Sequence, residues 1–137
     1  MKWERQRAMR DLIKAGLVAL VLSLSLAAPV TAGPFEDGSA AYERGDYATA
    51  LMVYRPLADK GDAKAQYNLG IMYDTGQGVS QDYVQAHKWY NLSASRASAD
   101  ETDVRDSAVK NRDLVAAKMT PAQIAKAQKL ARDWKPK

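Results

Sequence analysis

Few side chains in this sequence are equipped for chemistry, and their spacing decides what they are for. The 137 residues include one histidine, His87, and no cysteine. Without cysteine there is no thiol nucleophile, no disulfide framework and no zinc–thiolate site. A lone imidazole has no second imidazole with which to share a metal, and His87 stands one residue off an apolar stripe, so no catalytic role is assigned to it. The carboxylates Asp46, Asp62, Asp82 and Asp100 each stand at the start of a helical pattern. Capping of free backbone N–H groups explains them there without acid–base work. Gly76-Gln77-Gly78 reads as a turn, because a phosphate-binding glycine loop needs a preceding strand and further spacing that this stretch lacks. Asn91-Leu92-Ser93 matches a glycosylation acceptor, falls within a helical run and is given no role. The inventory points away from an enzyme and calls for no metal and no cofactor.

The elements that position these residues follow from an internal repeat. Asp46, Tyr47, Ala50, Tyr54 and Ala58 recur 36 positions later as Asp82, Tyr83, Ala86, Tyr90 and Ala94. Tyr42 and Gly45 recur 31 positions later as Tyr73 and Gly76. The offsets differ because Gly45 leads straight into Asp46, whereas five residues separate Gly76 from Asp82, so the second unit has the longer loop. Such a period signals stacked supersecondary units, and each unit reads as a helical hairpin. In residues 46–60 the apolar positions Tyr47, Ala50, Leu51, Tyr54, Leu57 and Ala58 follow i, i+3, i+4, i+7 spacing. Pro56 is expected to kink or split that helix through its missing N–H and ring clash. In residues 62–75, Ala65, Leu69, Met72 and Tyr73 share one side, and Gly70 is placed to let a neighbouring helix approach. Asp82 opens the next helix as its N-cap, with Gln85 positioned to reach back.

The run from Ala65-Gln66-Tyr67-Asn68-Leu69-Gly70 through Asp74-Thr75-Gly76-Gln77-Gly78 to Asp82-Tyr83, Ala86 and Lys88-Trp89-Tyr90 strongly resembles the Sel-one-like repeat, a relative of the tetratricopeptide repeat. Residues 38–61 resemble a shorter copy, and residues 112–134 are similar to the closing segment of exported bacterial members. The resemblance implies an all-α fold, a short α-solenoid of helical hairpins, working as an adaptor that binds another protein or peptide. It covers about two units, whereas longer scaffolds carry many. At 100° per residue, Lys64, Tyr67, Ile71 and Thr75 fall together opposite Ala65, Leu69 and Tyr73, with Asp74 beside them. By resemblance this face lines the concave groove, which makes these five residues the candidate partner-binding site. The other reading is that the first unit or the C-terminal helices cover them.

The apolar end of a stack must be closed, and residues 98–137 are read as C-terminal capping helices. Ser98-Ala99-Asp100-Glu101 has the capping-box pattern for a helix reaching about residue 119, and Thr120-Pro121-Ala122-Gln123 has it for a last helix. Ile124, Ala127, Ala131 and Trp134 form the apolar face of that last helix, and Lys126, Lys129, Arg132, Lys135 and Lys137 form a solvated basic side.

The formal charge of +4 invites a nucleic-acid or membrane reading until the charges are located. Lys2, Arg5, Arg7, Arg10 and Lys14 precede an uncharged, Leu- and Val-rich run, then Pro29 and the small residues Val30-Thr31-Ala32. This is the layout of a signal peptide cut after Ala32. Its removal leaves 15 basic and 14 acidic side chains, which removes the case for nucleic acid. The expected product is residues 33–137, two hairpins over 33–97 followed by the capping helices, periplasmic or secreted. The alternative is an uncleaved N-terminal helix, because the uncharged stretch from Ala15 to Phe35 could just span a bilayer. That would make the protein a membrane-anchored envelope component.

Overall fold

A computed structural model describes residues 3–5 and 32–137, and the expected signal segment, its cleavage site and the run from Ala15 lie mostly outside the described residues. Ala32–Lys137 form one unit, built from six helices: α1 Pro34–Glu43, α2 Tyr47–Asp59, α3 Ala63–Thr75, α4 Tyr83–Arg96, α5 Thr102–Ala116 and α6 Pro121–Asp133. No strand occurs among the described residues. None of their helices is long and apolar enough to cross a membrane.

The helix starts are written locally. Asp46, Asp62 and Asp82 each accept a hydrogen bond from the backbone N–H three residues on, from Thr49, Ala65 and Gln85. Each bond satisfies one of the free donors at a helix N-terminus. Gln85 does not close a reciprocal box, because the Asp82 N–H donates instead to the Tyr73 carbonyl at 2.9 Å. The Thr120–Gln123 box is complete, with both reciprocal bonds formed. Ser98 differs from its expected role as an N-cap. Its N–H and hydroxyl both donate to the Glu101 carboxylate at 2.9 Å, and the Glu101 N–H donates to the Ser98 carbonyl. The four residues close a turn, and α5 begins after it at Thr102 and ends at Ala116 rather than near 119.

Pro56 also departs from expectation, for α2 is neither split nor ended by it. The proline lies on the exposed side of the helix within a turn of its C-terminus. There the carbonyl it leaves without a helical donor is accessible to solvent, which lowers the cost of the lost bond.

Helices α1 and α2 form one hairpin and α3 and α4 the next, with α3 stacked on α2. Alanine dominates the contacts: Ala50, Ala58, Ala65, Ala86, Ala108 and Ala127 have no exposed surface, so neighbouring backbones approach closely. The same device recurs at two glycines. A Cβ on Gly70 would lie 2.5 Å from the Tyr90 ring, and one on Gly38 would lie 2.7 Å from the Tyr54 ring. Each hairpin is thus closed by a tyrosine lying over a glycine of the facing helix. Both C-terminal helices pack on α4 while scarcely touching each other, so they are not a third hairpin.

Candidate functional site

Helix α3 stands between two apolar clusters and thereby sets the position of the candidate residues. Leu69 and Met72 join Tyr54, Ala58, Trp89 and Ala131 on one side. On the other, Tyr67, Ile71 and Tyr73 pack against Ala86, Tyr90 and Val115. Of the five candidate residues, Lys64 and Thr75 are exposed, while Tyr67, Ile71 and Asp74 are half-buried. The Tyr67 ring lies 5.8 Å from that of Tyr90, and its hydroxyl accepts a hydrogen bond from Asn111 at 3.1 Å. Asp74 sits 3.7 Å from the Lys118 ammonium, which also stands over the Tyr83 ring. Residues of α5 and the turn after it therefore reach the middle of this face, and its two ends, Lys64 and Thr75, stay open to solvent.

His87 is buried between α4 and α5, and its Nδ1 has no hydrogen-bond partner. Burial, reinforced by the Arg112 charge, holds its pKa below the ordinary histidine value. This keeps the imidazole neutral near neutral pH. Among the described residues no group of three or more His, Asp or Glu side chains is placed to hold a metal. The Asn91 amide oxygen accepts from Arg112 at 3.2 Å, and the Ser93 hydroxyl, fully buried, donates to the Ala63 carbonyl at 2.7 Å. Both polar ends of Asn91-Leu92-Ser93 are thus spent inside the helical packing.

Two features escaped the sequence reading. Gln77, read only as part of a turn, accepts from the Tyr42 hydroxyl and donates to the Tyr47 hydroxyl at 3.0 Å. One amide of the second hairpin's loop thereby grips both tyrosines at the turn of the first. The five-residue loop excess was the available signal. The second feature is a cleft along α2 lined by Leu51, Met52, Arg55, Pro56 and Asp59. Its sequence signal was a proline and a methionine lying off the apolar stripe.

Comparison with known proteins identifies one repeat within the chain. The Sel1 repeat family model matches residues 63–98, which are α3, α4 and the loop between them. The chain is 37% identical over 67 residues, 47% of its length, to an exopolysaccharide production negative regulator of Rhizobium leguminosarum bv. viciae, covering 25% of that protein. It is 37% identical over 49 residues, 36% of its length, to the DAP3-binding cell death enhancer 1 of Rattus norvegicus and of Mus musculus, covering 10% of each. The chain spans a quarter or less of these relatives. No solved structure gives a significant match. Sel1 repeats are in general protein-interaction repeats. The match falls on the hairpin that carries the Gly70–Tyr90 contact and the longer loop, and the chain carries a Sel1 repeat over residues 63–98.

Proposed function

We propose that this protein is a non-catalytic protein-interaction module, exported to the periplasm or the cell exterior and released by cleavage after Ala32. The observation that carries the reading is the Sel1 hairpin itself, packed against α5 and α6 on one side and the first hairpin on the other. Rigid helical pairs present side chains to a partner at little entropic cost. Two of the similar proteins are named as DAP3-binding, which supports a binding role for this repeat class. The candidate groove comprises Lys64, Tyr67, Ile71, Asp74 and Thr75, with contact made first through the exposed Lys64 and Thr75.

A photo-crosslinking amino acid placed at Lys64 or Thr75 in intact cells tests the binding role. Adducts of defined mass are expected, and their absence from every exposed helix position of the folded protein would overturn the module reading. Fractionation with intact-mass measurement tests export. A soluble product beginning at Gly33 is expected, whereas a membrane-bound product beginning at Met1 would favour the anchored envelope component implied by the long uncharged N-terminal stretch.

A further inference from the structure

The cleft on α2 has a volume of about 410 Å³, within the usual range for sites that seat a side chain or small ligand. Leu51, Met52 and Pro56 supply apolar wall, and Met52 is 75% exposed, an unusual position for a flexible thioether well suited to adaptable contacts. Pro56 has no N–H to give the Met52 carbonyl, so the cleft also holds a main-chain acceptor without its helical donor. Its charge is cationic on one side. The Arg55 guanidinium donates to the Tyr73 hydroxyl at 3.0 Å, and among the described residues no carboxylate pairs with it.

The repeat shows what belongs on such a face. Thirty-six positions on, the cleft residues Leu51, Arg55 and Pro56 correspond to His87, Asn91 and Leu92 of α4. There His87 is buried, Asn91 accepts a hydrogen bond from Arg112 of α5, and Leu92 shares a core with Ala131 of α6. Among the described residues no helix takes the corresponding place on α2. The chain therefore covers this face on one hairpin with its own α5 and α6 and leaves it without a covering helix on the other.

We propose that the α2 cleft docks an amphipathic segment of a partner protein bearing apolar side chains flanked by carboxylates, covering on α2 the face that α5 and α6 cover on α4. The apolar group lies against Leu51, Met52 and Pro56, and a carboxylate meets Arg55. This names the partner chemistry for the interaction-module reading and rests on it.

The test uses protein purified from cells expressing the full-length sequence. The probe is a short acetylated and amidated amphipathic helix with Leu on one face and Glu on the other, followed by fluorescence anisotropy. Salt-sensitive binding is expected, weakened about tenfold or more by Arg55→Glu and by Met52→Asp, with Leu114→Asp on α5 as the unaffected control. Both cleft residues are exposed, so circular dichroism and Tm should stay near wild type. Equal binding of a Lys-for-Glu peptide, retention by both variants, or no binding would each overturn the proposal. So would concentration-dependent self-association abolished by Met52→Asp without peptide binding, which would assign the cleft to a second copy. If crosslinks at Lys64 or Thr75 persist while the acidic peptide fails, the cleft proposal falls and the module reading stands. If no position crosslinks, the module reading falls as well.

Discussion

The two hairpins are built from the same plan and live in different surroundings. Tyr54 and Tyr90 correspond in the repeat, each is about 1% exposed, and each lies over a glycine of its partner helix. Yet α4 is enclosed by α3, α5 and α6, whereas the helices packed on α2 are α1 and α3, with the Lys137 N–H donating to the Asp59 carbonyl at its C-terminal end. The substitutions between the copies follow that difference. Leu51, Met52, Arg55 and Pro56 of α2 become His87, Lys88, Asn91 and Leu92 of α4, and His87 and Leu92 are buried where Leu51 is half-buried and Pro56 exposed. A helix at the end of a stack can carry a proline and a protruding methionine because nothing has to pack on them. A helix in the middle cannot.

The largest expected effect comes from removing the paired tyrosines. Tyr90→Ala should cost about 3–5 kcal/mol in urea denaturation, the usual range for an aromatic lost from a core. Tyr54→Ala should cost about half of that, since the outer hairpin can relax into the space. Equal losses would show that the two hairpins are equally constrained and would break the comparison. Gly70→Ala sharpens it further. The added methyl would sit 2.5 Å from the Tyr90 ring, and overpacking of that kind costs about 1–3 kcal/mol even after the gain in helix propensity. Gly38→Ala should be milder, because α1 has only α2 to move against.

Gln77→Ala should cost about 1–2 kcal/mol, from the hydrogen bonds to Tyr42 and Tyr47. Native-state hydrogen exchange is the informative measurement. Amides of α1 and α2 should lose protection while those of α4 keep it, and uniform loss would mean that the hairpins unfold as one unit.

The smallest effect is a pH dependence confined to the second hairpin. The folded pKa of His87 lies below the ordinary 6.5, so above that value both states are neutral and stability is flat. As pH falls below it the unfolded chain takes up the proton first, and stability declines until the folded value is reached, by at most about 1.4 kcal/mol per pH unit. His87→Gln should flatten that part of the decline. The first hairpin has Leu51 at the matching position and contributes no such slope.

How much could be read beforehand differed from residue to residue for physical reasons. The Asp46, Asp62 and Asp82 caps and the Thr120–Gln123 box were legible because capping involves residues three apart on one chain. Gly70 was legible as a close approach, though only the structure identifies Tyr90 as its neighbour. Ser98–Glu101 misled because one bond of a capping box, from the Ser98 N–H to the Glu101 carboxylate, also forms in a turn, where the Glu101 N–H goes to the Ser98 carbonyl instead of its hydroxyl. The face of α3 bearing Tyr67 and Ile71 left two readings open, since periodicity tells which residues share a side and not what lies against it. Asn111 and Lys118, both more than 40 residues away in sequence, lie against it.

The sequence by itself determined the helices, their caps, the repeat and the shortage of chemical groups, because each of these is encoded by residue type within a few positions. Tertiary structure decided which faces are covered. It laid α5 and α6 on α4 instead of on each other, buried His87, tied the hairpins together through Gln77 and left the α2 cleft open. Those outcomes depend on how helices distant in sequence compete for the same apolar surface. No local pattern records the result of that competition.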